Sequence, residues 1–315
     1  MARVFASEAM SGKIMRQQNI RRARPLLGTF VEIEVLGATE ARMIAAVDAA
    51  FEAVAKVHRL MSFHDGDSDV SRLNREAHLR PTAVHAWTFA VLDAAAELHR
   101  RSNGVFDIAV APALQALGLL PRTTEAVALV ARSDGGDAVE LLDGYAVRFH
   151  GADIAIDLGG IAKGFAVDRA LDVLRELGMT GAIVNAGGDL AAFGPEPQLV
   201  HIRHPRNPAQ IVCSVRLENE ALASSARRFD PFHAADTSSS AVIDPASLCV
   251  PDVVDGASVR APSCMIADAL TKIVMLAGTG ASDLLEHYAA SALMISADGS
   301  LQISSDLHRA IHLAA

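Results

Sequence analysis

Apolar and polar residues alternate along TFVEIEVLG (residues 29–37), and this period of two, rich in β-branched residues, predicts a half-buried strand. The period then changes. Over residues 39–61, Ile44, Val47, Phe51, Val54 and Leu60 fall on one helical stripe, with Thr39 placed as the N-cap. A second long helix is expected at 83–102, stopped near Gly104. Between the two lies the polar, turn-rich MSFHDGDSDVSRLN, in which Ser68 can cap a short helical turn and which is long enough to reach a ligand. Strand-like runs AVELL, YAVRF and DIAID occupy 138–156, the first two joined at Asp143-Gly144, a hairpin dipeptide. Ile161, Phe165, Val167, Ala170, Leu171 and Leu174 predict a helix to Leu177, ended by Gly178. GAIVNAGGDLAAFG (181–194) reads as strand, Gly-Gly turn, strand. Further strands are expected over 198–260, helices at 265–277 and 281–288, and a hairpin-like pair at 291–304.

Helices and consecutive strands interleave without a regular β-α-β repeat, which predicts an α+β fold rather than a doubly wound one. Residues 1–23 hold no sustained period and read as a flexible arm ahead of one domain, 24–315.

Composition narrows the function classes. About half of the 315 residues are hydrophobic, enough for a large core. The net charge of -9, with dispersed Lys and Arg, excludes a nucleic-acid role on charge grounds. Cys213, Cys249 and Cys264 form no C-x-x-C pair and are expected as buried free thiols. The N-terminus has no apolar h-region, and no run of 18 uncharged apolar residues follows, so a cytoplasmic protein without membrane insertion is expected.

The candidate chemistry centres on DLGGIAKGFAVD (157–168). Glycines at a helix start free backbone N–H groups for phosphate oxygens, and a lysine adds a point charge. The stretch is neither a P-loop nor a dinucleotide fingerprint, so it either holds phosphate or turns a corner with a solvated Lys163. Asp157, at a glycine turn after an apolar run, is desolvated unless something hydrogen-bonds it. VNAGGDL (184–190) raises the same choice. Asp268 and Thr271, three apart on an apolar helix, share a face. With a carbonyl from a glycine loop they would suit Mg²⁺. His58, His85 and His99 are expected on helix surfaces, His201 and His204 on opposite faces of a strand, and His64 in the polar loop.

Taken together, RPLLGTFVEIEV, MSFHDGDSDVSRLN, GVFDIAVAPALQALG, DLGGIAKGFAVDRAL, VNAGGDLAAFG, ALASSARR, VIDP and ADALTKIVMLAG resemble the ApbE-type FAD:protein FMN transferases, in that family's order, from about residue 24 to 278. The resemblance implies an ApbE-like α+β fold of mixed or antiparallel sheets with flanking helices. It also implies FAD as substrate, a bound Mg²⁺, and transfer of FMN to a Thr or Ser hydroxyl of a target protein with release of AMP. It carries flavin contacts onto Leu27, His64, Val105, Phe106, Asp107, Asp157, Lys163 and Ile243. It places the metal on the Gly160 carbonyl and Asp268, with Thr271 as a further candidate ligand.

Three positions depart from the family pattern. Ala241 stands where a His precedes the apolar pair, Ser224-Ser225-Ala226 replaces TSG, and Lys272 replaces a metal-binding Thr. Lys272 cannot ligate a metal as an ammonium but can neutralise phosphate directly, so Asp268 and Lys272 are the catalytic candidates. An FAD pyrophosphatase yielding FMN and AMP, and a non-catalytic FAD-binding protein, remain as alternatives. Asp236-Thr237-Ser238-Ser239 resembles the D-x-x-[ST] pattern at which the family attaches FMN.

Overall fold

The computed structural model describes residues 3–4, 19–37, 39–121, 138–227, 242–250 and 254–313; Ala241 and the 236–239 motif lie outside them. In chain order the elements are strands β1 (Arg3–Val4), β2 (Asn19–Leu26) and β3 (Thr29–Leu36), helices α1 (Glu40–Met61) and α2 (Asp69–Glu76), strand β4 (Thr82–Ala83), and helices α3 (Ala86–Arg101) and α4 (Ala111–Ala116). Strands β5 (Val139–Leu142) and β6 (Ala146–Phe149) lead to helix α5 (Ala162–Glu176), then β7 (Gly181–Ala186), β8 (Asp189–Phe193), β9 (Gln198–Arg203), β10 (Ile211–Leu217), β11 (Ala221–Ala226) and β12 (Val254–Ala261). Helices α6 (Cys264–Ala277) and α7 (Ser282–His287) precede β13 (Ser291–Ser296), β14 (Leu301–Ile303) and β15 (Ile311–Leu313).

Eight strands form one sheet in the order β14-β13-β12-β11-β8-β7-β3-β2, four form a second, β1-β9-β10-β15, and β4-β6-β5 form a third. Every pairing among the described residues is antiparallel, which resolves the mixed-or-antiparallel expectation. The period-two pattern explains the layers. Along β7, β8 and β11 the side chains Ile183, Leu190, Ala192 and Leu222 join Val200, Ile202, Cys213 and Val215 of the second sheet in one core. Their neighbours Val184, Ala191, Ala221 and Ala223 face α1, α5 and α6 in the other. Small residues on that face let the helices lie close to the sheet.

Two hairpin tips sit side by side at one end of the large sheet, because β3 pairs with both β2 and β7. Each has two residues at positive φ: Leu27 (56°) and Gly28 (69°) between β2 and β3, Gly187 (69°) and Gly188 (110°) between β7 and β8. These backbone signs belong to a two-residue turn matched to strand twist. Glycine takes them freely, whereas Leu27 bears strain.

Several expectations change in detail. Residues 19–23, read as arm, belong to strand β2. DIAID forms no strand; it is irregular chain between β6 and α5, with a turn at Asp153. In α1, Val47, Phe51 and Val54 are buried, but Met43, Ala50, Val57 and Met61 complete the buried stripe, whereas Ile44 is exposed and Leu60 half-buried. Thr39 and Ser68 do cap α1 and α2, accepting from the N–H groups of Arg42 and Ser71. Cys249 is exposed, unlike Cys213 and Cys264. The Cys264–His287 stretch is apolar enough in composition for a bilayer span, at mean hydropathy 1.4. It nevertheless breaks at Gly278, φ 56°, and α6 packs against β11 and β12.

Candidate functional site

Helix α5 begins without a side-chain cap of its own. Its N-terminus is served from α6 instead: Asp268 Oδ2 accepts the Gly164 N–H at 3.0 Å. This works only because residue 164 is glycine, since a Cβ there would overlap the Cys264 carbonyl and push the helices apart. The service is reciprocal. Asp168 of α5 caps α6, its carboxylate accepting from the Cys264 and Met265 N–H groups and the Ser263 hydroxyl, each at 2.9 Å.

Asp268 is fully buried, and its other oxygen, Oδ1, receives the Lys272 ammonium, with Lys163 Nζ 3.6 Å away. Lys163 also pairs with Asp189, the first residue after the Gly187-Gly188 tip. Two buried carboxylates and two ammoniums thus form one neutral cluster. Burial alone would lower the Lys163 ammonium, but Asp189 and Asp268 outweigh it and hold it above its ordinary value. Burial likewise pushes the Asp268 carboxyl up, and Lys163 and Lys272 more than reverse this, so it lies below the usual range. Asp189 is raised, by burial first and then by repulsion from Asp268.

The glycine loop is tied down from three sides. Asp157 Oδ2 accepts the Gly159 N–H at 2.9 Å, and the Asp157 N–H donates to the Ile108 carbonyl at 2.9 Å. Just before it, the Asn74 amide of α2 holds both backbone groups of Ile156, at 2.8 and 3.0 Å. Burial raises the Asp157 carboxyl despite the Gly159 bond. The polar loop 62–67 is pinned by Ser68 Oγ donating to the Ser62 carbonyl at 2.6 Å and by Arg75 donating to the Gly66 carbonyl at 2.8 Å, which leaves His64 exposed.

Two contiguous cavities meet at Asp157 and Lys163. The larger, about 750 Å³, is lined by Leu27, His64, Asp157 and Lys163 among others. The smaller, about 330 Å³, is lined by Val105, Phe106, Asp107, Asp157, Gly160, Lys163, Ile243 and Lys272. All eight expected flavin-contacting residues therefore border one cleft. Asp268 and Thr271 are buried and line neither cavity.

The expected metal set does not fit Mg²⁺ as it stands. Thr271 donates to the Asp268 carbonyl and shares a 2.7 Å hydrogen bond with Ser225, so its hydroxyl is spent within the core. Both Asp268 side-chain oxygens are engaged, one by an ammonium. Among the described residues no group of three or more His, Cys, Asp or Glu side chains could hold a metal.

A model of the ApbE family matches residues 27–294. The chain belongs to the ApbE family. Its relatives include the FAD:protein FMN transferase of Vibrio cholerae serotype O1, 25% identical over 277 residues, with 83% of this chain and 82% of that protein covered. The FAD:protein FMN transferase of Treponema pallidum is 25% identical over 292 residues, covering 84% and 80%. The crystal structure of the ApbE protein of Thermotoga maritima matches with a TM-score of 0.79 at 24% identity, over 93% of this chain and 99% of that one. Vibrio cholerae flavin transferase ApbE gives 0.76 at 22%, over 93% and 99%. At such identities these structures show a shared fold, the ApbE fold.

Within this ApbE chain, Asp189, Asp168 and Asn74 were given no role from the sequence, and Ser225, noted only within the departure from TSG, proves to bond Thr271. Asp189 left one signal, an acidic residue alone in the apolar run AGGDLAAFG. His58, His85 and His99, expected on the surface, are half-buried. His85 caps α3 through Nδ1, and His99 Nδ1 lies 3.0 Å from the Phe106 carbonyl.

Proposed function

We propose that the chain is an FAD:protein FMN transferase. The observation that carries this reading is the convergence of all eight family flavin positions on one cleft, with the N-terminal turn of α5 and Lys163 at its waist and Lys272 in its smaller half. The cleft accommodates a long ligand that is apolar and aromatic at its ends and anionic in its middle, as FAD is. In the reaction the acceptor hydroxyl oxygen forms a bond to the flavin-side phosphorus, the bond between that phosphorus and the bridging oxygen breaks, and AMP leaves carrying the bridging oxygen. The hydroxyl proton passes to solvent or to the leaving phosphate. Such a transfer depends on positioning and charge neutralisation more than on covalent help.

The roles follow from position. Lys163, held charged by Asp189 and Asp268, and Lys272 neutralise the pyrophosphate. Asp157, Val105, Phe106, Asp107 and Ile243 orient the nucleotide, and Leu27 and His64 border the wider mouth through which the acceptor side chain would reach the phosphorus beside Lys163. Asp268 acts through Lys163, Lys272 and the α5 backbone. A Mg²⁺ ion would supply Lewis-acid neutralisation in such chemistry, but the Asp268 and Thr271 side chains that would hold it are already engaged within the protein.

The absence of the family His, with Ala at 241, favours one second reading, in which water replaces the acceptor hydroxyl. Chromatography of nucleotides after incubation with FAD separates the two. The transferase reading expects AMP only when an acceptor protein is present and no matching free FMN. Equal release of AMP and free FMN without acceptor would replace it with the hydrolase.

A further inference from the structure

We infer that the Lys272 ammonium is the resident cation of the pyrophosphate site, so that this chain binds FAD without a divalent metal. The inference rests on the flavin-transfer reading and names the cation which that reading needs. Lys272 lies one helical turn beyond Asp268 and folds back over it, its Nζ on Asp268 Oδ1 and 3.0 Å from the Asp268 carbonyl oxygen. Its aliphatic stem passes the Gly160 loop, with Cε 3.7 Å from where a Gly160 Cβ would be. The Lys272 side chain thus runs between the Gly160 loop and Asp268, the two groups on which the family resemblance would place a metal, with its ammonium on Asp268.

A divalent ion entering there would have to displace it. The cluster of Lys163, Lys272, Asp189 and Asp268 is already neutral, so Mg²⁺ beside a retained Lys272 would meet like charge at short range. The side chain of Lys272 is 16% exposed and borders the smaller cavity. An ammonium has three donors, so it can hold the Asp268 carboxylate and carbonyl and still give one hydrogen bond to a phosphate oxygen.

The test is an FAD titration of the full chain, read by flavin fluorescence or calorimetry, in excess EDTA and in excess Mg²⁺. The wild-type dissociation constant should agree between the two conditions to within about twofold. Lys272→Thr should weaken FAD in EDTA by about tenfold or more and recover when Mg²⁺ is added, whereas Lys272→Arg should keep binding that ignores the metal. A wild-type affinity that rises about tenfold with Mg²⁺ overturns the inference and leaves the flavin reading standing. So does a Lys272→Thr chain that binds FAD in EDTA as wild type does. If that variant does not fold, the wild-type comparison decides. No FAD binding in either condition overturns the flavin reading and this inference with it.

Discussion

Asp157 and Lys163 border both cavities, so on the proposed reading each would meet whichever part of the nucleotide spans them. Asp157→Ala should weaken FAD by at least about tenfold, because the carboxylate is a fixed acceptor and also anchors Gly159; an unchanged titration would remove it from the site. Asp268 has a different signature. Its folded-state pKa lies below the unfolded one, so its stabilisation is complete above the ordinary Asp range near about pH 4 and is lost as pH falls through the lower folded value. Asp268→Asn should therefore cost about 3 kcal/mol at pH 7, by stranding buried ammoniums. The gap to wild type should narrow below about pH 4, read from denaturant midpoints at both pH values. A gap independent of pH would show that the lost charge is not the cause. At this scale Asp157, Lys163 and Asp268 were legible in sequence because each stands in a motif. Asp189 and Asn74 were not, because their partners Lys163 and Ile156 lie 26 and 82 residues away and the pairing exists only once the sheet and helices are assembled.

At the scale of elements, α5 and α6 are coupled through exchanged caps, Asp168 serving α6 and Asp268 serving α5. Removing a cap with three donors should cost about 2 kcal/mol, so Asp168→Ala is expected to lower the unfolding midpoint while leaving the cavity residues in place. Gly164→Ala should cost about 1–3 kcal/mol through overpacking against Cys264, and it should also weaken FAD, because the same displacement moves Asp268 and Lys272. Wild-type FAD affinity in that variant would uncouple the helix contact from the site. The helices and most strands were readable from period and caps. The exceptions have local causes. DIAID alternates as a strand would, yet its backbone at Ile156 is taken by Asn74 and at Asp157 by Ile108, which leaves it no partner strand. The α1 stripe was read from Ile44, Val47, Phe51, Val54 and Leu60, whereas the buried face is centred a little to one side of them and adds Met43, Val57 and Met61 with Ala46, Ala50 and Ala53.

At the scale of the molecule, the cleft lies where the tip of the β2–β3 hairpin, the glycine loop and the loop before α2 meet at one end of the large sheet. Interleaved helices and strands made the α+β class legible, and alternation made the buried faces legible. The strand order was not, since β3 pairs with β7 across α1 to α5, a connection no local pattern encodes. A ligand that binds only the assembled cleft stabilises the whole chain by mass action. FAD at about a hundred times its dissociation constant should add about 2.7 kcal/mol and raise the melting temperature by a few degrees. AMP or riboflavin alone, each filling part of the cleft, should add less, and equal shifts from all three would argue against a single extended site. The most direct measurement of the central claim is the intact mass of an acceptor protein bearing a D-x-x-[ST] segment after incubation with this chain and FAD. The account predicts a gain of one FMN less one water, absent when FAD or the chain is omitted; an acceptor of unchanged mass beside consumed FAD would contradict it.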